Sequence, residues 1–233
     1  IIMLGMLIGT TPTGPYSVAV TLSIFANLGN DIIHPIFTPR LRKFIANNNS
    51  NAAKKEIDYS RTTSFLFGLL FLIALISLKD FILNLVGIEA STELTNVLLI
   101  LTTAHVITHA FGPVGRFLSL SGYSGSTLFF SLLSLSTAFV ANILLIPYLN
   151  MIGAAIGTIS ALTIVNSGML IYIYKKWKVN LSTFAEFFIV LFLLLTLVLF
   201  LIGLVHEIFF ITVVLIMILI YLGYLRSKFL NKK

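Results

Sequence analysis

No cysteine occurs anywhere in the 233 residues, which excludes disulfide frameworks and thiolate metal sites and leaves the redox compartment undefined. Charge is scarce too. Asp, Glu, Lys and Arg fill only 10% of positions, where a soluble domain has about 25%. In their place 58% of positions are hydrophobic, and the mean hydropathy is +1.05. Such a chain cannot build a water-facing surface of ordinary size, so a soluble enzyme, a disordered tail and a nucleic-acid module are all poor readings. The formal net charge of +7 does not reopen the last of these, because position explains it. The composition is that of an integral membrane protein.

Long apolar runs bounded by charge, Pro or Gly predict seven complete spans, at about 16–39, 62–78, 95–118, 126–147, 152–174, 187–205 and 208–225. The runs are continuous rather than alternating with a period of two, so a membrane barrel is disfavoured and an all-α polytopic bundle is expected. The shorter run 80–88, flanked by Lys79-Asp80, is expected at the interface. Residues 1–9 are fewer than the about 20 a span needs. They read as the tail of a helix, with the chain as the C-terminal part of something longer. The hydrophilic stretch 46–60 is the longest linker in this reading, and its sequon Asn48-Asn49-Ser50 falls on the inner side, where glycosylation is not expected.

Charge orients the spans. With the 10–15 loop outside, fourteen of the fifteen Lys and Arg residues fall inside, from Arg40, Arg42, Lys43, Lys54, Lys55 and Arg61 to Arg116, Lys175, Lys176, Lys178 and the C-terminal tail. Lys79 alone lies outside, together with Asp80, Glu89, Glu93 and Glu207. This is the positive-inside pattern, and anionic inner-leaflet lipid accounts for the basic excess. All eight tyrosines and the single tryptophan, Trp177, fall near span ends, where amphipathic rings favour the headgroup region.

Polar groups at membrane depth are costly and each asks for a reason. The first complete span carries Ser23, Asn27, Asn30, Asp31, His34 and Thr38 along one helical side, with Asp31 the only acid well inside any span. That stripe is expected to face other helices or a water-filled cavity. Interhelical hydrogen bonding is the competing explanation. In the third span Thr102, His105, His109, Gly112 and Arg116 share a face. His105 and His109 are four apart, but Val106 stands where a zincin has Glu and no third ligand is near, so a metal site is not expected. The set reads as a cationic, hydrogen-bonding wall for an anion, with the Arg116 fork suited to phosphate. Against it stand Arg116 snorkelling to headgroups and the histidines serving only as interhelical bonders.

Pro35, Pro39 and Gly112-Pro113 mark places where these helices bend. Gly153, Gly157 and Ala161 form a small-residue face suited to close packing within the chain or to dimerisation. The last two spans, whose interior hydroxyls are Thr196 and Thr212, are apolar enough to face lipid around most of their circumference.

The stretch Asn142…Leu145-Ile146-Pro147…Gly153-Ala154-Ala155-Ile156-Gly157-Thr158…Ser160 resembles the eleventh-to-twelfth helix junction of the polysaccharide flippases, the oligosaccharide branch of the multidrug/oligosaccharidyl-lipid/polysaccharide exporter superfamily. Gly14-Pro15-Tyr16-Ser17-Val18-Ala19, Gly112-Pro113 and Leu120-Ser121-Gly122-Tyr123 are similar to other helix ends of the same C-terminal half. Asn150 stands where the family commonly has Gly; Asn tolerates a left-handed turn, so the fold implied is unaffected.

The resemblance implies a C-terminal transporter lobe over 1–178 and two additional C-terminal helices with a basic tail over 179–233. It implies translocation of undecaprenyl-pyrophosphate-linked oligosaccharide across a bacterial plasma membrane by alternating access, for O-antigen, capsule or exopolysaccharide assembly, with no cofactor. Lipid-linked oligosaccharide, membrane lipid, and polysaccharide polymerase and chain-length proteins are the partners it brings with it. The matching motifs carry over no binding residue; the two stripes themselves supply the candidates, with Arg116, His105, His109, Asn27, Asn30 and His34 expected to meet the substrate and Asp31 to couple an ion. A drug or cation antiporter of the same superfamily is the alternative, although it would prefer acidic, aromatic walls. A membrane enzyme would need an acidic metal cluster or an activated nucleophile, and neither set is evident. A purely structural subunit fits poorly with ionisable residues at membrane depth.

Overall fold

The computed structural model describes residues 1–47, 49–89, 91–177 and 184–230; among them there are helices and no strand. Apolar runs without a period of two leave the backbone no partner but itself, and helix follows. In chain order the elements are α1 (Ile2–Ile8), α2 (Thr13–Ile24), a 3-10 turn (Phe25–Asn27), α3 (Leu28–Ala46), α4 (Ser50–Leu85) and α5 (Thr92–Phe111). They continue with α6 (Val114–Leu120), α7 (Ser124–Trp177), α8 (Phe184–Leu201) and α9 (Glu207–Leu230). Local chemistry sets several of these limits. The Asn49 side chain accepts from Ala52 N at 3.0 Å to start α4, and Ser91 Oγ accepts from Leu94 N at 3.1 Å to start α5.

Among the described residues four helical segments are long and apolar enough to cross a membrane, at Asn51–Leu85, Thr92–Phe111, Ser124–Trp177 and Glu207–Arg226. This is an all-α membrane protein. Several expected boundaries shift. The span 16–39 is α2 and α3 joined through the 3-10 turn, and α3 runs on past Pro35 and Pro39. The span 95–118 is not one helix: α5 ends at Phe111, Gly112 takes φ 76°, and α6 starts afresh at Val114. The linker expected over 46–60 is largely helical, because α4 begins at Ser50 and buries Ala53 and Ile57. The 80–88 run is no separate interfacial segment. Its residues to Leu85 complete α4, with Leu83 fully buried.

α7 is a hairpin of two helical arms, 124–149 and 151–177, that meet at Asn150 with φ 49°. With ψ at −127° the backbone there lies outside the αL region and in one that glycine enters most readily. The Glu93 carboxylate accepts from Met151 N at 3.3 Å, an acid at the start of the second arm where the helix dipole favours it. The small-residue face closes the hairpin on itself. A Cβ on Gly153 would sit 2.5 Å from Leu145 O, and one on Gly157 would sit 2.3 Å from Asn142 Oδ1. The Gly153–Gly157 face is thus spent on packing within this chain.

One apolar core joins α2, α4, α5, the 146–155 region of α7, and α8 and α9; a second, smaller one lies where α3, α4, α6 and the 165–173 part of α7 converge. α5 is the central helix. In its most apolar window 78% of residues are buried, whereas in that of α7 the share is 6%.

Charge separates along the bundle. The end of α3, the start of α4, α6 and the end of α7 gather at one end around Phe44, Ala53, Phe117 and Trp177, which brings Arg42, Lys43, Lys54, Lys55, Lys175 and Lys176 to that end. At the other, Lys79 at the close of α4 is explained by its partners: its Nζ lies 2.7 Å from Glu207 Oε1 and 3.4 Å from Asp80 Oδ2. Lys178, Lys232, Lys233, the sequon residue Asn48 and the side chain of Lys228 lie outside the described residues. Two tyrosines expected near the headgroups point inward instead. Tyr16 is buried, as is Tyr221, whose ring packs edge-on against Phe65 at 5.4 Å and whose hydroxyl lies 3.3 Å from Thr62 Oγ1.

Candidate functional site

The two polar stripes face each other. α3 and the preceding 3-10 turn lie against α5 and α6, and three polar contacts join them in register. Asn27 Nδ2 donates to His105 Nδ1 at 3.0 Å, Asn30 Nδ2 donates to His109 Nδ1 at 2.7 Å, and Arg116 Nη1 donates to Thr38 Oγ1 at 3.3 Å. The register survives the break at Gly112, so Arg116 reaches Thr38 from α6 rather than from a continuous third span.

The contacts differ in character. His109 is buried, and its Nε2 lies 3.1 Å from Ala26 O. A carbonyl can only accept, so Nε2 carries the proton, and Nδ1, taking a bond from Asn30, is unprotonated. His109 is a neutral tether across three elements. Gly68 of α4 makes room for it: a Cβ there would lie 2.9 Å from His109 Cδ2. Gly29 likewise lets α3 approach Phe67, with an added Cβ at 2.9 Å. Asn27–His105 and Asn30–His109 therefore do interhelical bonding, worth on average about 0.6 kcal/mol each in a membrane bundle.

Below them a cavity of about 190 Å³ opens between α3, α5, α6 and the second arm of α7, lined by Asn30, His34, Thr108, His109, Arg116 and Asn166 among others. His34 is partly buried, and neither ring nitrogen finds a partner among the described residues. Arg116 is exposed apart from its contact with Thr38. The cavity thus offers a guanidinium, an imidazole and amides, a donor set that suits an anionic oxygen-rich group.

Of the residues singled out in sequence, Asn30, His34, His109 and Arg116 line the cavity, while Asn27 and His105 sit above it. Ser23 is buried and bonds its own helix at Val20 O. Asp31 is exposed rather than packed against another helix, and it has no ion pair among the described residues. Neighbouring residues in a helix diverge by about 100°, and with Asn30 turned to His109 its neighbour turns away.

Sequence reading missed three contributors. Thr108 and Asn166 line the cavity, and Asn166 donates to Leu162 O at 2.8 Å, leaving its amide oxygen for other partners. Asn166 is a lone amide in an apolar run, and only its polarity could have marked it. Arg61, taken from sequence as part of the basic loop, is inside α4 and buried; it donates to Asp58 Oδ1 at 2.7 Å. A Cβ on Gly112 would stand 3.3 Å from Arg61 Cβ, so the Arg61 stem supports the α5–α6 break from behind. No family model, curated protein or solved structure matches this chain.

Proposed function

We propose that the chain is a lobe of a flippase that moves a polyprenyl-pyrophosphate-linked oligosaccharide across a bacterial plasma membrane by alternating access. The observation that supports it best is the polar cavity beside Arg116, placed among membrane-depth helices at the break between α5 and α6. Arg116 lies toward the basic end, where its guanidinium bonds only Thr38 among the described residues and leaves other donors open to the cavity. Short α6 carries Arg116 between two glycines of positive φ, Gly112 at 76° and Gly122 at 85°. These supply a hinge on either side of seven residues. The Arg116 fork and His34 would hold phosphate oxygens, and Asn30, Thr108 and Asn166 would bond what is attached to them.

In this reading the basic end faces the cytoplasm, as the positive-inside pattern requires. Asp31, exposed on α3, lies on a surface shared with Ile32 and Ile36, and it would couple the cycle to an ion there. An unchanged pH and ion dependence in Asp31→Asn would remove that role.

The test uses a bacterial strain lacking its own flippase. Expression of the full-length protein should make labelled lipid-linked oligosaccharide accessible at the outer face of the inner membrane. Failure across several repeat units, with a known flippase working in parallel, would overturn the reading and move the antiporter alternative to first place.

A further inference from the structure

A second cavity, of about 340 Å³, lies at the basic end between the close of α3, the start of α4, α6 and the close of α7. Its walls include Phe44, Phe117, Tyr123 and Trp177, with two polar groups among them, Asn49 and Ser121. The aromatic wall is held by edge-to-face packing: Trp177 lies 5.4 Å from Phe117 and 5.1 Å from Tyr123 between ring centroids. Over it sits a cation. Lys176 Nζ is 3.7 Å from the Tyr123 ring centre, with the Trp177 ring at 5.7 Å. Ser121 Oγ is buried and has no hydrogen-bond partner among the described residues. None of these residues touches the Arg116 cavity.

We infer that this cavity is a binding site for an anionic phospholipid, with the glycerol-ester region against the aromatic wall and the headgroup phosphate at Lys176 and Ser121. An ammonium has three donors, and one face resting on a ring leaves others for a phosphate oxygen. A serine hydroxyl without a partner supplies a further donor. Aromatic rings beside lysine at the end of membrane helices match the level of the headgroups, and basic pockets between such helices select anionic lipid. A free phosphate shares the headgroup chemistry but has no use for the aromatic wall.

Trp177, the only tryptophan in the chain, reads the site directly. The protein is placed in phosphatidylcholine nanodiscs, and phosphatidylglycerol with brominated acyl chains is titrated in. The site predicts saturable quenching of Trp177, at much lower mole fraction than with brominated phosphatidylcholine. Lys176→Gln should raise the half-quenching mole fraction about fivefold, as expected for one lysine near a membrane surface. Ser121→Ala should raise it by a smaller factor. Equal quenching by the two lipids would overturn the site, and that comparison needs no variant. So would a Lys176→Gln response identical to the unaltered chain, since general attraction to the basic end would then suffice. Displacement by inorganic phosphate would overturn the lipid assignment in favour of a free anion.

Discussion

Helices α5 and α7 invert the rule that governs a soluble protein. α5 carries Thr102, Thr103, His105, Thr108 and His109 and lies at the centre, whereas the first arm of α7 presents Leu128, Phe129, Leu132, Leu135, Phe139 and Val140 outward. In lipid, covering an apolar side chain gains little, because the surroundings are as apolar as the core. Position is decided instead by which side chains need a polar partner and which small residues permit close approach. α5 buries an apolar majority that includes Leu98, Leu101, Val106 and Ile107, and with it His109, which bonds Asn30 and a backbone carbonyl. The arms of α7 meet because Gly153 and Gly157 leave room. The outward leucines of α7 need nothing.

The contrast can be broken most severely at a glycine. Gly68→Leu puts a side chain into the space His109 fills, 2.9 Å from Cδ2 at the first added carbon, and should cost about 3 kcal/mol or more. Gly223→Leu, with no atom within 4 Å of the added carbon, should cost under about 0.5 kcal/mol. Thermal unfolding in detergent separates them; equal losses would mean that close approach does not set the α4–α5 distance. Next in size is His109→Ala, which removes two bonds and leaves Ala26 O and Asn30 unpaired, at about 1–3 kcal/mol. Leu132→Ala on the outer face of α7 should stay within about 0.5 kcal/mol by the same assay.

Asn150→Gly should be tolerated best of any substitution there, because glycine carries no Cβ penalty at the positive φ of 49°. Asn150→Val should destabilise, and a reversed order would mean that the hairpin turn does not hold a positive φ. The smallest effect belongs to the uppermost contact. A double-mutant cycle between Asn27 and His105 should give a coupling of about 0.6 kcal/mol, the average for such pairs in membrane bundles.

These differences also explain what could be read from the sequence. Asn27, Asn30, His34, His105 and His109 stood out because polar residues repeating on one helical face are rare in apolar runs, and geometry then has few ways to pair them. The opposite α7 arms were legible because Pro147 and Asn150 separate two apolar runs of span length. Asp31 was not assignable from periodicity alone, since Asn30 and Asp31 flank the stripe axis and only tertiary packing decides which turns in. The α5–α6 break was marked by Gly112-Pro113, but a kinked helix and a broken one share that signal. Arg61 was hidden by its neighbours. In a basic stretch nothing distinguishes the arginine that is buried from those that are exposed.

The proposed function divides one interface: Asn27 bonds His105 and holds helices together, and Arg116 would handle an anion. Transport of labelled lipid-linked oligosaccharide per folded molecule measures that division directly, in Arg116→Ala and Asn27→Ala side by side. The account predicts that Arg116→Ala keeps its thermal stability and loses transport at least about tenfold, while Asn27→Ala loses about 0.6 kcal/mol of stability and transports normally once folded. Normal transport by Arg116→Ala at normal expression would contradict it.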